Sequence, residues 1–342
     1  MPPLADDKCF FAPYPSRSGE RGRRNVALNL PAHSHYAFCD ALSPSSLMLN
    51  LEQLAELLGR HRAAAAARVS EFSIGGKPFA FNSRPALMGV VNLSADSWYR
   101  ESVCLTTEAA VQRGKILRAQ GADIVDVGAE STLASSARVD DAGQNARLLP
   151  VVRGLRAAGV LVSVETYQPA VTRACLEAGA NVLNLTGTDR SDELFRLVAA
   201  HDAAVIICYV QGENVRTVGD FDFVADPIAP MRDYFARQIE IAQGNGVRRI
   251  FLDPGLGFYY RNLQDSAVRV RHQMGVFLNT FRLRTLGFPV CHALPHAFEF
   301  FGEEVRCAEP FFAVLAALGK TDLFRTHEVP RLKAVLDTMK VF

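Results

Sequence analysis

From Pro85 onward the chain alternates short apolar runs with longer amphipathic stretches. The runs are rich in Val, Ile and Leu: ALMGVVN (86–92), DIVDVG (123–128), VLVSVE (160–165), NVLNL (181–185), AVIICY (204–209), RIFLD (249–253), FPVCH (288–292) and DLFRT (322–326). The stretches between them read as helices. QPAVTRACLEAGA (168–180), for example, carries Pro169 near its start and Gly179 near its end, where each residue suits helix geometry. A strand apolar at nearly every position is buried on both faces, so the pattern predicts a parallel sheet covered by helices. Eight such units fit a (β/α)8 TIM barrel, with a doubly wound open sheet as the alternative.

The first part of the chain follows a different rhythm. Residues 1 to about 45 are rich in Pro, Ser, Arg and Gly with interspersed aromatics. The stretch SPSSLMLNLEQLAELLGRHRAAAAARVS (43–70) then predicts a helix from its leucine spacing and alanine run. The expected organisation is an N-terminal extension with one helix over residues 1–80, followed by the barrel over 81–342.

Composition narrows the class further. A chain of 342 residues that is 49% hydrophobic and 21% charged can build a full core. A net charge of +1 argues against nucleic acid or an anionic membrane as a partner. The seven cysteines are scattered and include no C-x-x-C pair, so they read as reduced thiols rather than a disulfide framework or zinc site. The N-terminus lacks a signal pattern and no run is long enough to span a bilayer, so a soluble cytoplasmic protein is expected.

Polar residues collect where the apolar runs end. Asn92, Asp126, Glu165, Asn184, Asp253, His292 and Arg325 lie at or near those ends, with His327 just beyond. Any one of them is explained as a loop cap. A barrel, however, brings all its C-terminal strand ends to one rim, where its active site lies. Two amides and two carboxylates there suit a flat, nitrogen-rich heterocycle with paired N–H and C=O edges. Arg325 and His327 add a cationic corner for phosphate or pyrophosphate.

Five stretches in order resemble the dihydropteroate synthase family, the pterin-binding barrels of folate biosynthesis. They are MGVVNLSADSW (88–98), GADIVDVGAEST (121–132), VSVETYQPAVTRACLEAGANVLNLTG (162–187), LDPGLGF (252–258) and FRTHEV (324–329). The resemblance implies condensation of a pterin methyl pyrophosphate with an amine, p-aminobenzoate or another nucleophile, with release of pyrophosphate. It implies that Glu165, Asn184 and Asp253 hold the pterin, Glu165 standing where the family has Asp. Asn92 would touch the pyrophosphate or its Mg2+, and Arg325 with His327 would bind the departing anion. Thr132, at the end of the second motif, is a further candidate, and a homodimer is expected by the same resemblance.

The departures cluster on one side. Leu133 stands where the family has Arg, and Ala95 where it has Pro. The region expected to read Ser-Arg-Lys-Ser is FPVCHALPHAF, with no Lys or Arg between Arg284 and Arg306. His292 and His296 are candidates there, one of them replacing the missing Lys; as H-x-x-x-H they could bind metal on a helix, but Pro295 makes a continuous helix unfavourable. The alternatives are therefore a non-catalytic pterin-binding protein that lost its p-aminobenzoate site, or methyl transfer from a reduced folate. Retention of Arg325, His327 and Asn92 argues for the enzyme.

Overall fold

The computed structural model describes residues 48–97, 99–131, 136–258, 260–263 and 265–342. Its eight-stranded sheet consists of β3 (Ala86–Asn92), β4 (Ile124–Gly128), β5 (Val162–Thr166), β6 (Val182–Leu185), β7 (Ala204–Cys208), β8 (Arg249–Asp253), β9 (Cys291–Ala293) and β10 (Leu323–Thr326). All of its ladders are parallel, in the order β8-β7-β6-β5-β4-β3-β10-β9. The ring closes between β8 and β9 through a bridge of Leu252 to Val290, where the Leu252 N–H donates to the Pro289 carbonyl at 3.0 Å. The expected barrel is therefore present.

Helices fill each crossover, as parallel pairing requires. They include α3 (Thr107–Ala119), α4 (Asp141–Ala157), α5 (Pro169–Glu177), α6 (Ser191–Ala200), α7 (Ile228–Gly244), α8 (Ser266–Asn279), α9 (Phe298–Phe301), α10 (Ala308–Leu318) and α11 (Val329–Met339). Each long helix turns an apolar face to the strands. On α10, Phe312, Leu315 and Ala316 are buried, whereas Phe311, Val314 and Leu318 lie in the solvent. At the end of α10 a Cβ on Gly319 would stand 1.8 Å from the Phe277 carbonyl, so only glycine allows that approach to α8. Among the described residues no helix is long and apolar enough to cross a membrane.

The segment before the barrel departs from the single helix expected over 43–70. The described helix begins later, as α1 (Leu51–Arg60), because Asn50 and Gln53 form a reciprocal capping box at 3.0 and 3.1 Å. It breaks at His61 and resumes for one turn as α2 (Arg62–Ala65). An unexpected hairpin follows, β1 (Phe72–Ile74) and β2 (Lys77–Phe79), turning at Gly75 and Gly76. It caps the N-terminal end of the barrel: Phe72 and Phe81 meet Phe251 of β8 edge-on at 5.2 and 5.4 Å. This aromatic plug seals the lower end and leaves the opposite mouth for a ligand.

Candidate active site

Strand register decides which side chains share the open mouth. Glu165 of β5 pairs with Asn184 of β6, Cys208 of β7 with Asp253 of β8, and Arg325 of β10 with Ala293 of β9. Because side chains alternate along a strand, these strand-end positions point into one space. Asn92, Glu165, Asn184, Asp253, His296, Arg325 and His327 line a single pocket at the C-terminal rim.

The floor of this pocket is a charged lattice. The Arg325 Nε donates to Asp126 Oδ2 at 2.8 Å and its Nη2 to Glu165 Oε2 at 2.6 Å. Asn184 Nδ2 donates to the same Asp126 oxygen at 3.1 Å. Asp126 Oδ1 is buried and has no partner among the described residues. Burial pushes the Glu165 carboxyl up to about 7, although the Arg325 guanidinium pulls it back. Two nitrogens of Arg325 are committed to the floor, and its Nη1 has no partner among the described residues.

Asp253 answers to a different local device. The chain turns at Gly255 with φ +74°, where a Cβ would lie 2.2 Å from the Tyr209 carbonyl. That turn aims the Gly255 N–H at Asp253 Oδ1, 2.8 Å away. Burial lifts the Asp253 carboxyl to about 6, and this hydrogen bond opposes the lift. A carboxylate so placed gains from any ligand that offers N–H groups.

Asn92 is oriented by the first loop. Its Nδ2 donates to Ser97 Oγ at 2.8 Å and to Ser102 Oγ at 2.6 Å, while Ser102 Oγ donates to the Tyr99 carbonyl at 2.7 Å. Since Ser102 has spent its proton, it must accept from Asn92, and the Asn92 Oδ1 is left for a ligand. Across the mouth, His327 is held by Glu309 of α10 through its backbone N–H and its Nδ1, the latter at 2.7 Å. Tyr99 lies over both His296 and His327, with ring centroids 4.8 and 4.7 Å apart.

One candidate stands elsewhere and another lies outside the described residues. His292 is fully buried behind the barrel wall, its Nε2 2.7 Å from Thr280 Oγ1 and its ring against Phe277. Its neighbours Cys291 and Ala293 take the opposite phase of β9, so His292 faces α8 rather than the pocket. Burial pushes its pKa down to about 3, which keeps it neutral. The H-x-x-x-H pair is therefore not one ligand set, since strand and loop separate its members. Thr132, with Leu133, lies outside the described residues.

Several lining residues were not singled out in the sequence. Tyr99, Glu130, Arg269 and Gln273 all face the pocket. Arg269 of α8 grips both oxygens of Glu299 at 2.8 Å beside the mouth. Gln273 donates to the Leu256 carbonyl at 2.9 Å, and its buried Oε1 has no partner among the described residues. No sequence signal marked them, because nothing fixed which loops and which face of α8 lean over the rim.

Known proteins share this barrel. The pterin binding enzyme family matches residues 88–287. A dihydropteroate synthase of Streptococcus pyogenes is 30% identical over 263 residues, covering 73% of this chain and 93% of that protein. The Xanthomonas albilineans dihydropteroate synthase with 4-aminobenzoic acid superposes with a TM-score of 0.66 at 28% identity, over 79% of this chain and 97% of that one. The same enzyme in complex with 7,8-dihydropteroate gives 0.64 at 26% identity, over 79% of this chain and 97% of that one. With a family match over more than half its length, this chain belongs to the pterin-binding enzymes, as a dihydropteroate synthase-like transferase.

Proposed function

We propose that Asn184, Asp253 and Glu165 hold the pterin of a pterin methyl pyrophosphate, and that an amine displaces its pyrophosphate. The amine nitrogen bonds to the exocyclic methylene carbon, the carbon–oxygen bond to pyrophosphate breaks, and the nitrogen loses a proton to solvent. One observation carries this reading: two buried carboxylates and an amide, braced from below by Arg325, meet on the floor of one open pocket. Ionised carboxylates there accept paired N–H groups from an aminopyrimidine edge.

The leaving group lies toward Asn92, His327 and Arg325 Nη1, which has no partner among the described residues. Asn92 Oδ1 suits Mg2+, which takes one or two protein oxygens and completes its shell with phosphate oxygens and water. Bound there, Mg2+ would offset charge on the departing pyrophosphate. The acceptor side is lined by Leu256, Phe258, Pro295 and Phe298, with the Arg269–Glu299 pair at its edge. Those surfaces suit an aromatic amine, p-aminobenzoate or one of similar shape. The exposed stripe of Phe311, Val314 and Leu318 along α10 supports a homodimer packed through outer helices.

The decisive assay supplies the pterin pyrophosphate with Mg2+ and p-aminobenzoate, then a panel of other aryl amines. Pyrophosphate release and a coupled pterin–amine product, seen by mass spectrometry, are expected. Tight pterin binding with no amine-dependent pyrophosphate release would instead establish a pterin carrier. Absence of pterin binding would remove the floor assignment itself.

A further inference from the structure

The corner beside β10 holds a cluster whose geometry exceeds what anion binding requires. His327 Nδ1 lies 2.7 Å from Glu309 Oε1. His296 Nε2 lies 3.3 Å from that same oxygen and 3.3 Å from His327 Nδ1. Three metal-ligand atoms thus form a compact, nearly isosceles triangle. An ion with bonds of about 2.1 Å holds neighbouring ligands roughly 3.0–3.4 Å apart, so it fits over this triangle with little movement.

The surroundings are those of a held ligand set. Glu309 is fully buried, and its Oε2 accepts from the Thr326 hydroxyl, the His327 N–H at 3.0 Å and the Glu328 N–H at 3.1 Å. Those donors fix the carboxylate and leave Oε1 turned to the imidazoles. Tyr99 stacks on the His296 ring, lies tilted over that of His327, and is itself anchored through its hydroxyl to Glu328, which Arg306 grips at 2.5 and 3.0 Å. Outer contacts of this kind orient ligands and set their tautomers. His296 and His327 both line the pocket, so the open side of the triangle faces it.

We propose that His296, His327 and Glu309 form a two-histidine, one-carboxylate site for a divalent transition-metal ion, with open positions facing the pocket for an anionic substrate oxygen. Two imidazoles favour zinc, iron or cobalt over Mg2+, which prefers oxygen throughout, so this site is distinct from Asn92. The proposal does not rest on the pterin reading, because it needs only the three side chains. Its rival is a proton in place of the ion, with His327 Nδ1–H simply donating to Glu309.

Metal-stripped, untagged protein titrated with Co2+ separates the two. One ion per chain is expected, with visible bands that Zn2+ displaces. Outer partners alone are worth 10- to 100-fold in affinity, so His296→Ala, at the accessible rim, should weaken binding about 100-fold or more. His327→Ala should do the same, and Asn92→Ala should leave it unchanged. Inorganic phosphate should move the cobalt bands by entering an open position. A folded wild type that takes up no cobalt, or binding indifferent to both histidine variants, would overturn the site. Bands unmoved by phosphate would overturn its opening to the pocket.

Discussion

Replacing Arg325 with Met tests the charged floor most directly. The substitution deletes donors to Asp126 at 2.8 Å and Glu165 at 2.6 Å, and leaves two carboxylates facing each other. The Arg325 side chain is 16% exposed and that of Asp126 is 0% exposed, so water screens the loss only slightly. Removing one partner of a buried pair costs about 3–5 kcal/mol. Because Glu165 can relieve part of this by taking a proton, the lower end, about 3 kcal/mol at pH 8.5, is expected. Burial already raises Glu165 from 4.5 to about 7, and loss of the guanidinium raises it further. A raised folded-state value means the native protein keeps a proton that the unfolded chain releases. The resulting stability is present at low pH and lost as pH rises through the folded value. The deficit of Arg325→Met should therefore shrink at pH 5.5, by about 1.4 kcal/mol for each further unit by which Glu165 is raised. Urea denaturation followed by circular dichroism at both pH values measures it. The double variant Arg325→Met/Glu165→Gln should recover part of the loss at pH 8.5. A deficit below about 1 kcal/mol at pH 8.5, or one identical at both pH values, would refute the charged-floor reasoning.

Two further outcomes follow from residues already placed. Asp253 carries a carboxyl raised to about 6, so pterin affinity should fall about tenfold per pH unit below that value, as the free protein must give up a proton to accept the ligand. Calorimetry in buffers of different ionisation enthalpy reads the released proton; Asp253→Asn should remove the part of the dependence below pH 6 and leave the part due to Glu165, raised to about 7, and a flat profile between pH 5 and 7 in the wild type would contradict the assignment. The α10 stripe predicts a dimer by sedimentation velocity, converted to monomer by Phe311→Glu with Leu318→Glu; a wild type that is monomeric throughout would exclude that interface.

The barrel was legible because its strands are apolar on both faces, and each observed strand falls within, or one residue beyond, an apolar run. Glu165, Asn184 and Asp253 stood out only as a group, since each alone is explained as a loop cap, whereas a barrel brings its C-terminal strand ends to one rim. Phase was harder to read. β9 has only three residues, too few to show alternation, so His292 could not be told from an inward-facing position. The β1–β2 hairpin did leave a signal, the Gly75–Gly76 pair between phenylalanines, but its strands are too short to stand out. Tyr99 and Glu309 were invisible for another reason. They reach the site from a loop and an outer helix, and only the folded chain brings them to His327.

The aromatic plug has a consequence for traffic. Phe72, Phe79, Phe81 and Phe251 close one end of the barrel, so everything that enters must use the same doorway by which it leaves. A molecule seated against Asp253 is then boxed in by whatever settles above it. With pterin and amine seated as proposed, the queue is last in, first out: the floor must be filled before the acceptor side, and the doorway must clear before the floor can empty.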